Sequence, residues 1–255
     1  MLKKEIKEII KNPIYSYHYV LPLLLTFIMS EGTKNYLLQH IQNIAVVNTT
    51  KEVILYDGIL LNSKMQFAVS ELNFMLMMCA ILAGLSIFEE RRLHVWDRIV
   101  RKGNFILIKF FTHYIFSLIM ILFNVIGYWI LFDIGISLKS IGIFLSIPIF
   151  SISLGLFVGL LVHNRAMLSN TILMIVMLMG YFGGALSLTS VLSNTKFMNT
   201  LMYLSPLTMA NKLIFKALIH ISWGRDLWIW ISMILMFELI FVSLMRRRLK
   251  NGASI

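Results

Sequence analysis

Charged residues are scarce in this chain: they make up 14% of its 255 residues, whereas hydrophobic residues make up 58%. A mean hydropathy of +0.81 leaves too little polar surface to cover a water-soluble globule. The composition therefore excludes an ordinary soluble domain and indicates that lipid is the main solvent of the chain.

Cysteine is almost absent as well. The single cysteine, Cys79, excludes an internal disulfide, and we interpret it as a packing residue. Methionines lie beside it at positions 75, 77 and 78, but consecutive helical residues point in different directions and cannot converge on one metal. The six histidines show no spacing such as His-Glu-x-x-His. We expect this chain to bind neither a metal nor a cofactor.

Catalytic signatures are missing too. No serine lies in a Gly-x-Ser-x-Gly sequence, and no Gly-x-x-x-x-Gly-Lys-Ser/Thr loop is present to hold nucleotide phosphates. We therefore predict that the chain is not an enzyme and has no catalytic residues. If ATP powers this protein, another chain must bind it.

Long apolar runs are abundant. A membrane-spanning helix needs about 20 apolar residues, and six runs bounded by charges predict six spans. The predicted spans are 14–30, 72–88, 105–132, 141–162, 168–188 and 227–245. The predicted fold is an all-α integral membrane protein with one transmembrane domain, residues 1–255.

The distribution of basic residues predicts the orientation, because lysine and arginine favour the cytoplasmic side of short loops. With the N-terminus inside, the cytoplasmic segments hold fourteen lysines and arginines, whereas the longer outer loops hold eight. Both termini are therefore predicted to be cytoplasmic. The many lysines, isoleucines and asparagines favour a bacterial source, and so the plasma membrane of a bacterial cell.

Three segments outside the spans have patterns of their own. Residues 1–12 place isoleucines on one face and lysines on the other, which predicts an interfacial helix. Residues 31–71 form a long outer loop. In 189–222, short apolar clusters alternate with polar residues, which predicts outer re-entrant helices that meet at Ser205-Pro206.

Small residues one turn apart recur in two predicted spans. Gly155 and Gly159 in the fourth span, and Gly180 and Gly184 in the fifth, predict close helix packing. With Gly183, the second set could instead permit bending at the outer end of a substrate path.

Glu238 is the only carboxylate that the predicted spans place well inside the membrane. Such a charge indicates a functional site, or a side chain that reaches an arginine or polar group near the cytoplasmic boundary. The sequence leaves both interpretations open.

Residues 89–104, EERRLHVWDRIVRKGN, hold eight charged side chains between two apolar runs. Leu93, Trp96 and Ile99 or Val100 would form one apolar stripe of a short helix. This pattern predicts a docking helix on the cytoplasmic face, the alternative being a basic helix that lies on the lipid surface.

The layout resembles the membrane subunits of type-2 ABC exporters, the ABC-2 permease family. The local match is Phe88-Glu89-Glu90-Arg91 followed by Asp97-Arg98-Ile99, although His94-Val95 stand where Gly-Thr is usual. Leu204-Ser205-Pro206 is similar to the Ser-Pro before the last span of the family, and Gly183-Gly184 to its small residues.

That resemblance implies that 89–104 is a coupling helix seated in a cytoplasmic ATPase. It implies two ATPase copies, which bind ATP and Mg, and a second membrane subunit, identical or related. The cargo would be a hydrophobic or amphiphilic compound such as a peptide antibiotic or drug. The implied ATPase contacts are Glu89, Glu90, Arg91, Trp96, Asp97 and Arg98.

Two other function classes remain open. One is a secondary transporter driven by an ion gradient, which needs ionisable residues inside several helices. The other is a membrane sensor or scaffold without transport activity. Nucleic acid is not an expected partner, because the basic residues flank the spans instead of lining one groove.

Overall fold

The computed structural model describes residues 13–41, 53–56, 59–92, 105–186 and 196–252. Helices account for nearly all of them, and one antiparallel hairpin pairs Val53 with Asn62 and Tyr56 with Ile59. In chain order the elements are α1 (Pro13–Ile41), β1 (Val53–Tyr56), β2 (Ile59–Asn62), α2 (Ser63–Arg92), α3 (Phe105–Phe132), α4 (Leu138–Leu161), α5 (Arg165–Gly183), α6 (Lys196–Leu204), α7 (Pro206–Leu218) and α8 (Arg225–Gly252).

Five of these helices, α2, α3, α4, α5 and α8, are long and apolar enough to cross a membrane. The coarse prediction of an all-α membrane protein is therefore confirmed, with the short hairpin as an addition. The predicted first span, 14–30, lies within α1 and stays a prediction. The predicted interfacial helix, 1–12, lies outside the described residues.

The helix that contains the predicted second span, 72–88, is longer than that span at both ends. Helix α2 begins nine residues earlier, at Ser63, because Gln66, Ser70 and Glu71 face the interior of the bundle and are buried. At the other end α2 continues through Arg92, so Glu89 belongs to this helix and does not begin a new one. The predicted outer loop, 31–71, is shortened further because α1 continues to Ile41.

Helix α5 ends at Gly183, five residues before the predicted end of the fifth span. Gly184 adopts a left-handed conformation with φ of 87°, which stops the helix at low energetic cost because glycine has no Cβ. The N–H of Ala185 then donates to the carbonyl oxygen of Gly180 at 3.0 Å. Beyond the undescribed residues 187–195, α6 and α7 meet at Ser205-Pro206.

Helix α2 lies at the centre of the bundle. It packs against α1, α3, α4, α5 and α7, and 78% of its most apolar stretch is buried, compared with 11% for α8. Helix α8 packs mainly on α4 and α7, and it exposes large side chains such as Trp228 and Leu239. The exposed faces are apolar, as lipid contact requires.

Helices α2 and α4 approach each other closely enough for their backbones to touch. A Cβ at Gly159 would lie 2.6 Å from the carbonyl oxygen of Gly84, and one at Gly84 would lie 2.9 Å from that of Gly155. Ala80 faces Gly155 one turn away, so small residues meet small residues on both helices. Small residues at such crossings let two backbones pack in direct contact.

We expect Gly159→Ala to destabilise the protein, because the added methyl group overlaps the backbone of α2. Overpacking of this kind costs roughly 1–3 kcal/mol, which thermal unfolding in detergent would detect as a lower midpoint. Gly142→Ala is the matched control, since this glycine on the same helix has nothing within 4 Å of an added Cβ. Equal midpoints for the two variants would contradict the contact between α2 and α4.

Candidate functional site

Three consecutive residues in the last turn of α2 each join a different helix. Glu90 pairs with Lys109 of α3 at 2.7 Å, and Glu89 pairs with Arg165 of α5 at 3.4 Å. Arg91 donates to carbonyl oxygens at the end of α4. Successive helical residues point about 100° apart, so three neighbours can be reached from one turn. We call these five residues the α2 clamp.

The pair between Glu90 and Lys109 is the buried part of the clamp. Their side chains are 17% and 5% exposed, and the Lys109 ammonium also lies 5.7 Å from the centre of the Phe105 ring. A lysine buried to this extent needs an anionic partner, because the isolated charge would be strongly destabilising. Glu90 therefore fixes the start of α3 against the end of α2.

Arg91 caps the C-terminus of α4. Its Nη1 donates to the oxygens of Gly159 at 3.0 Å, Leu160 at 2.9 Å and Val162 at 3.3 Å. The last carbonyl groups of a helix have no partner within the helix and carry partial negative charge. The Arg91 guanidinium donates hydrogen bonds to these carbonyl groups and places a positive charge beside their partial negative charge.

The pair between Glu89 and Arg165 is exposed, with side chains 54% and 62% accessible. It lies beside the short connection from α4 to α5, where the Asn164 side chain accepts the N–H of Ala166 at 2.9 Å and begins α5. Because solvent screens such a pair, it contributes little to stability. Its atoms remain accessible to a partner.

A pocket of about 500 Å³ opens next to the clamp. Its basic lining would attract an anionic group, such as an acidic protein surface or a phosphate. The lining residues are Phe88, Arg91, Arg92, Val162, His163, Asn164 and Arg165.

The structure gives the three described coupling candidates, Glu89, Glu90 and Arg91, partners within the chain. The other three, Trp96, Asp97 and Arg98, lie outside the described residues. Sequence reasoning missed the role of Lys109, whose signal was a lone charge five residues into an apolar run.

The glycines of the fifth span and the Ser-Pro pair lie together where α5 meets α7. A Cβ at Gly180 would lie 2.5 Å from the Phe74 ring of α2, and one at Gly183 would lie 2.7 Å from the Leu207 side chain. Ser205 donates its hydroxyl to the oxygen of Met179 at 3.2 Å, and Pro206 begins α7. Their role in a substrate path stays a prediction.

A buried amide network holds the same region to α2. The Nδ2 group of Asn211 donates to Ser70 at 3.1 Å and to the Gly183 oxygen at 2.6 Å, and its Oδ1 accepts from Asn73. Helices α2, α5 and α7 are thereby joined. The sequence signal that we missed is the spacing of Gln66, Ser70 and Asn73, which places polar side chains on one helical face.

Glu238 accepts a hydrogen bond from the Ser153 hydroxyl of α4, at 2.7 Å from its Oε2 atom. It is half-buried and forms no ion pair among the described residues. Its partner is thus a hydroxyl group on a neighbouring helix, and its function stays open. Glu238 is also not the only carboxylate inside a helix of the bundle, because Glu71 on α2 is 1% exposed.

The part of the chain that the structure describes contains no group of three or more His, Cys, Asp or Glu residues able to hold a metal ion. Comparison with protein-family models, with curated proteins and with solved structures found no match. The function must therefore be argued from the residues of this chain.

We expect Glu90→Gln to destabilise the bundle much more than Glu89→Gln. The first change leaves the Lys109 charge buried without its partner, at roughly 2–3 kcal/mol, since Glu90 retains some exposure and a fully buried pair costs about 3–5 kcal/mol. The second change removes an exposed pair worth about 1 kcal/mol or less. Thermal unfolding of both variants in the same detergent measures the difference.

The double variant Glu90→Gln/Lys109→Met provides the control for this prediction. Removing both charges should recover most of the stability, because no buried charge is left without a partner. Equal effects of the two single glutamine variants would contradict the assignment of Glu90 as the main anchor.

Proposed function

We propose that this chain is the transmembrane permease subunit of an ATP-driven ABC exporter that works with a separate cytoplasmic ATPase. The observation that carries the proposal is the α2 clamp. It ties the helices on both sides of segment 93–104 to each other, because Glu90 lies just before this segment and Lys109 just after it. A segment anchored in this way is suited to receive force from a docked partner.

The α2 clamp supports the proposal because its contacts would pass a movement of segment 93–104 to the neighbouring helices. A movement applied at 93–104 would act on the end of α2, and α2 packs against five other helices of the bundle. Packed helices shift as rigid bodies and do not deform continuously. The ion pairs of Glu89 and Glu90 and the cap formed by Arg91 would pass the same movement directly to α3, α4 and α5.

The proposed assembly has two ATPase copies with ATP and Mg, and two membrane subunits, identical or related, in a bacterial plasma membrane with both termini cytoplasmic. The basic pocket beside the clamp would face the ATPase and favour an acidic surface there. The cargo would be a hydrophobic or amphiphilic compound, such as a peptide antibiotic or drug. Gly180, Gly183 and Gly184 would border its path at the outer end.

A second candidate function, transport driven by an ion gradient, is favoured by one observation. Ionisable side chains lie inside the bundle on three helices: Glu71 on α2, His113 on α3 and Glu238 on α8. Such residues mark ion pathways in secondary transporters. Export that continues without ATP and stops with an ionophore would select this candidate.

We expect a soluble ATPase to co-purify with the native protein at near-equal amount after extraction in mild detergent, as judged by mass spectrometry. Trp96→Ala/Asp97→Arg should abolish this association, because it removes an apolar anchor and reverses a charge in the docking segment. Trp228→Ala is the matched control, since this exposed tryptophan lies near the start of α8, at the predicted outer surface.

Recovery of the native protein without an ATPase, under conditions that preserve a known complex of this kind, would overturn the exporter proposal. An equal loss of ATPase in the Trp228→Ala control would show that the docking segment is not the specific contact.

A further inference from the structure

A buried carboxyl group lies in the half of the bundle opposite the clamp. Glu71 is 1% exposed and lies seven residues after Lys64, the first residue of the apolar stretch of α2. Seven residues correspond to a helix rise of about 10 Å. Its Oε2 atom has no hydrogen-bond partner among the described residues.

Helices α1 and α3 bring two further hydroxyl groups to this place. Tyr128 of α3 is fully buried and lies at the height of Glu71, because Ser86 of α2 contacts His113 of the antiparallel α3 and both residues lie 15 positions from that contact. Thr26 of α1 lies one turn after Leu23, whose side chain packs on Gly127 of α3. The Thr26 hydroxyl donates to the oxygen of Pro22 at 2.8 Å, which leaves its lone pairs free to accept. The Tyr128 hydroxyl has no hydrogen-bond partner in the described part of the chain.

Asn124 extends the same polar face of α3 by one turn. It is fully buried, and its Nδ2 group donates to the oxygen of Met120 at 2.9 Å. Its Oδ1 atom has no partner among the residues that the structure describes. Buried oxygens without donors are rare in folded proteins and usually indicate a bound water, ion or proton.

Glu71 forms no ion pair with a basic side chain in the described ranges. The fully buried basic residues there are Lys109 and His113, which contact Glu90 and Ser86 of α2. Those two contacts lie 19 and 15 residues along the helix from Glu71, which is roughly 28 and 22 Å of rise. The titratable group at the same height on α3 is Tyr128, and on α7, which also packs against α2, Lys212 and Lys216 pair with Asp226.

A carboxylate with no counter-charge in an apolar interior is strongly destabilising, and a bound cation would remove that cost. We propose that Glu71, Tyr128 and Thr26 form an occluded binding site for a monovalent cation, a proton or a sodium ion, between α1, α2 and α3. For sodium, the carboxylate supplies the charge and the hydroxyl oxygens supply further coordination. For a proton, the Glu71 carboxylate takes the proton and a hydroxyl oxygen accepts a hydrogen bond from the resulting carboxylic acid. This site does not depend on the exporter proposal.

The test is the thermal unfolding of the purified chain, without any ATPase, as a function of pH and of sodium at constant ionic strength. A cation that binds the folded state raises its stability as the cation concentration rises. A proton site predicts a midpoint that rises as pH falls and ignores sodium. A sodium site predicts a midpoint that rises with sodium, most strongly at high pH where protons do not compete.

Glu71→Gln should remove the response in either case, because the amide is neutral and cannot exchange a cation. Glu238→Gln is the comparison variant: it removes a half-buried carboxyl group of α8 and leaves Glu71, Thr26 and Tyr128 in place, so the sodium response and the Glu71 part of the pH response should remain. Infrared difference spectra provide a readout independent of stability: the carboxyl band that appears on protonation, or shifts on sodium addition, should be lost in Glu71→Gln alone.

If Glu71→Gln does not fold, Tyr128→Phe keeps the carboxyl group and removes one oxygen. Its apparent cation affinity should fall on the order of tenfold, as expected for the loss of one hydrogen bond to a charged group. Responses to pH and sodium that are identical in the native protein and in these variants would overturn the proposal, whatever the result with the ATPase.

Discussion

The contact between α2 and α4 is the constraint on which the rest of the bundle depends. Gly84 and Gly159 allow these two backbones to touch, and this brings the end of α4 within reach of Arg91. The oxygen of Gly159 is itself one of the acceptors of the Arg91 guanidinium. A larger residue at either glycine would separate the helices and also remove the cap. The packing of α2 on α4 and the hydrogen bonds of Arg91 therefore both depend on the same short distance between the two backbones.

A lipid solvent explains where the polar groups lie. Lipid at the exposed faces of α3 and α8 offers polar groups no hydrogen-bond partners, and these faces are apolar. The polar side chains lie instead around the central helix, α2. The amide network of Asn211, the pair between Glu90 and Lys109, and the carboxyl group of Glu71 all involve α2 or pack against it. The central helix is thus polar at both ends and apolar between them.

This arrangement explains which parts of the fold could be predicted. The bounds of helix α3 coincide with the predicted span, 105–132, because a long apolar run there has charged or polar flanks. The bounds of α2 could not be predicted in this way, because a hydropathy scan cannot distinguish Ser70 and Glu71 buried in a bundle from the same residues in an outer loop. The partner of Arg91 lies 68 residues away at Gly159, and only the tertiary structure brings the two together.

Helix α2 carries both proposed sites: Glu71 lies toward one end, and Glu89, Glu90 and Arg91 lie at the other. Along a continuous helix these sites are roughly 27 Å apart, and no described residue between them breaks the helix. If cation occupancy at Glu71 changes how α2 packs against α1 and α3, and a partner at 93–104 binds one packing more tightly than the other, the two binding events are coupled. Linkage makes that effect reciprocal, so a docked partner would alter the cation affinity by the same factor.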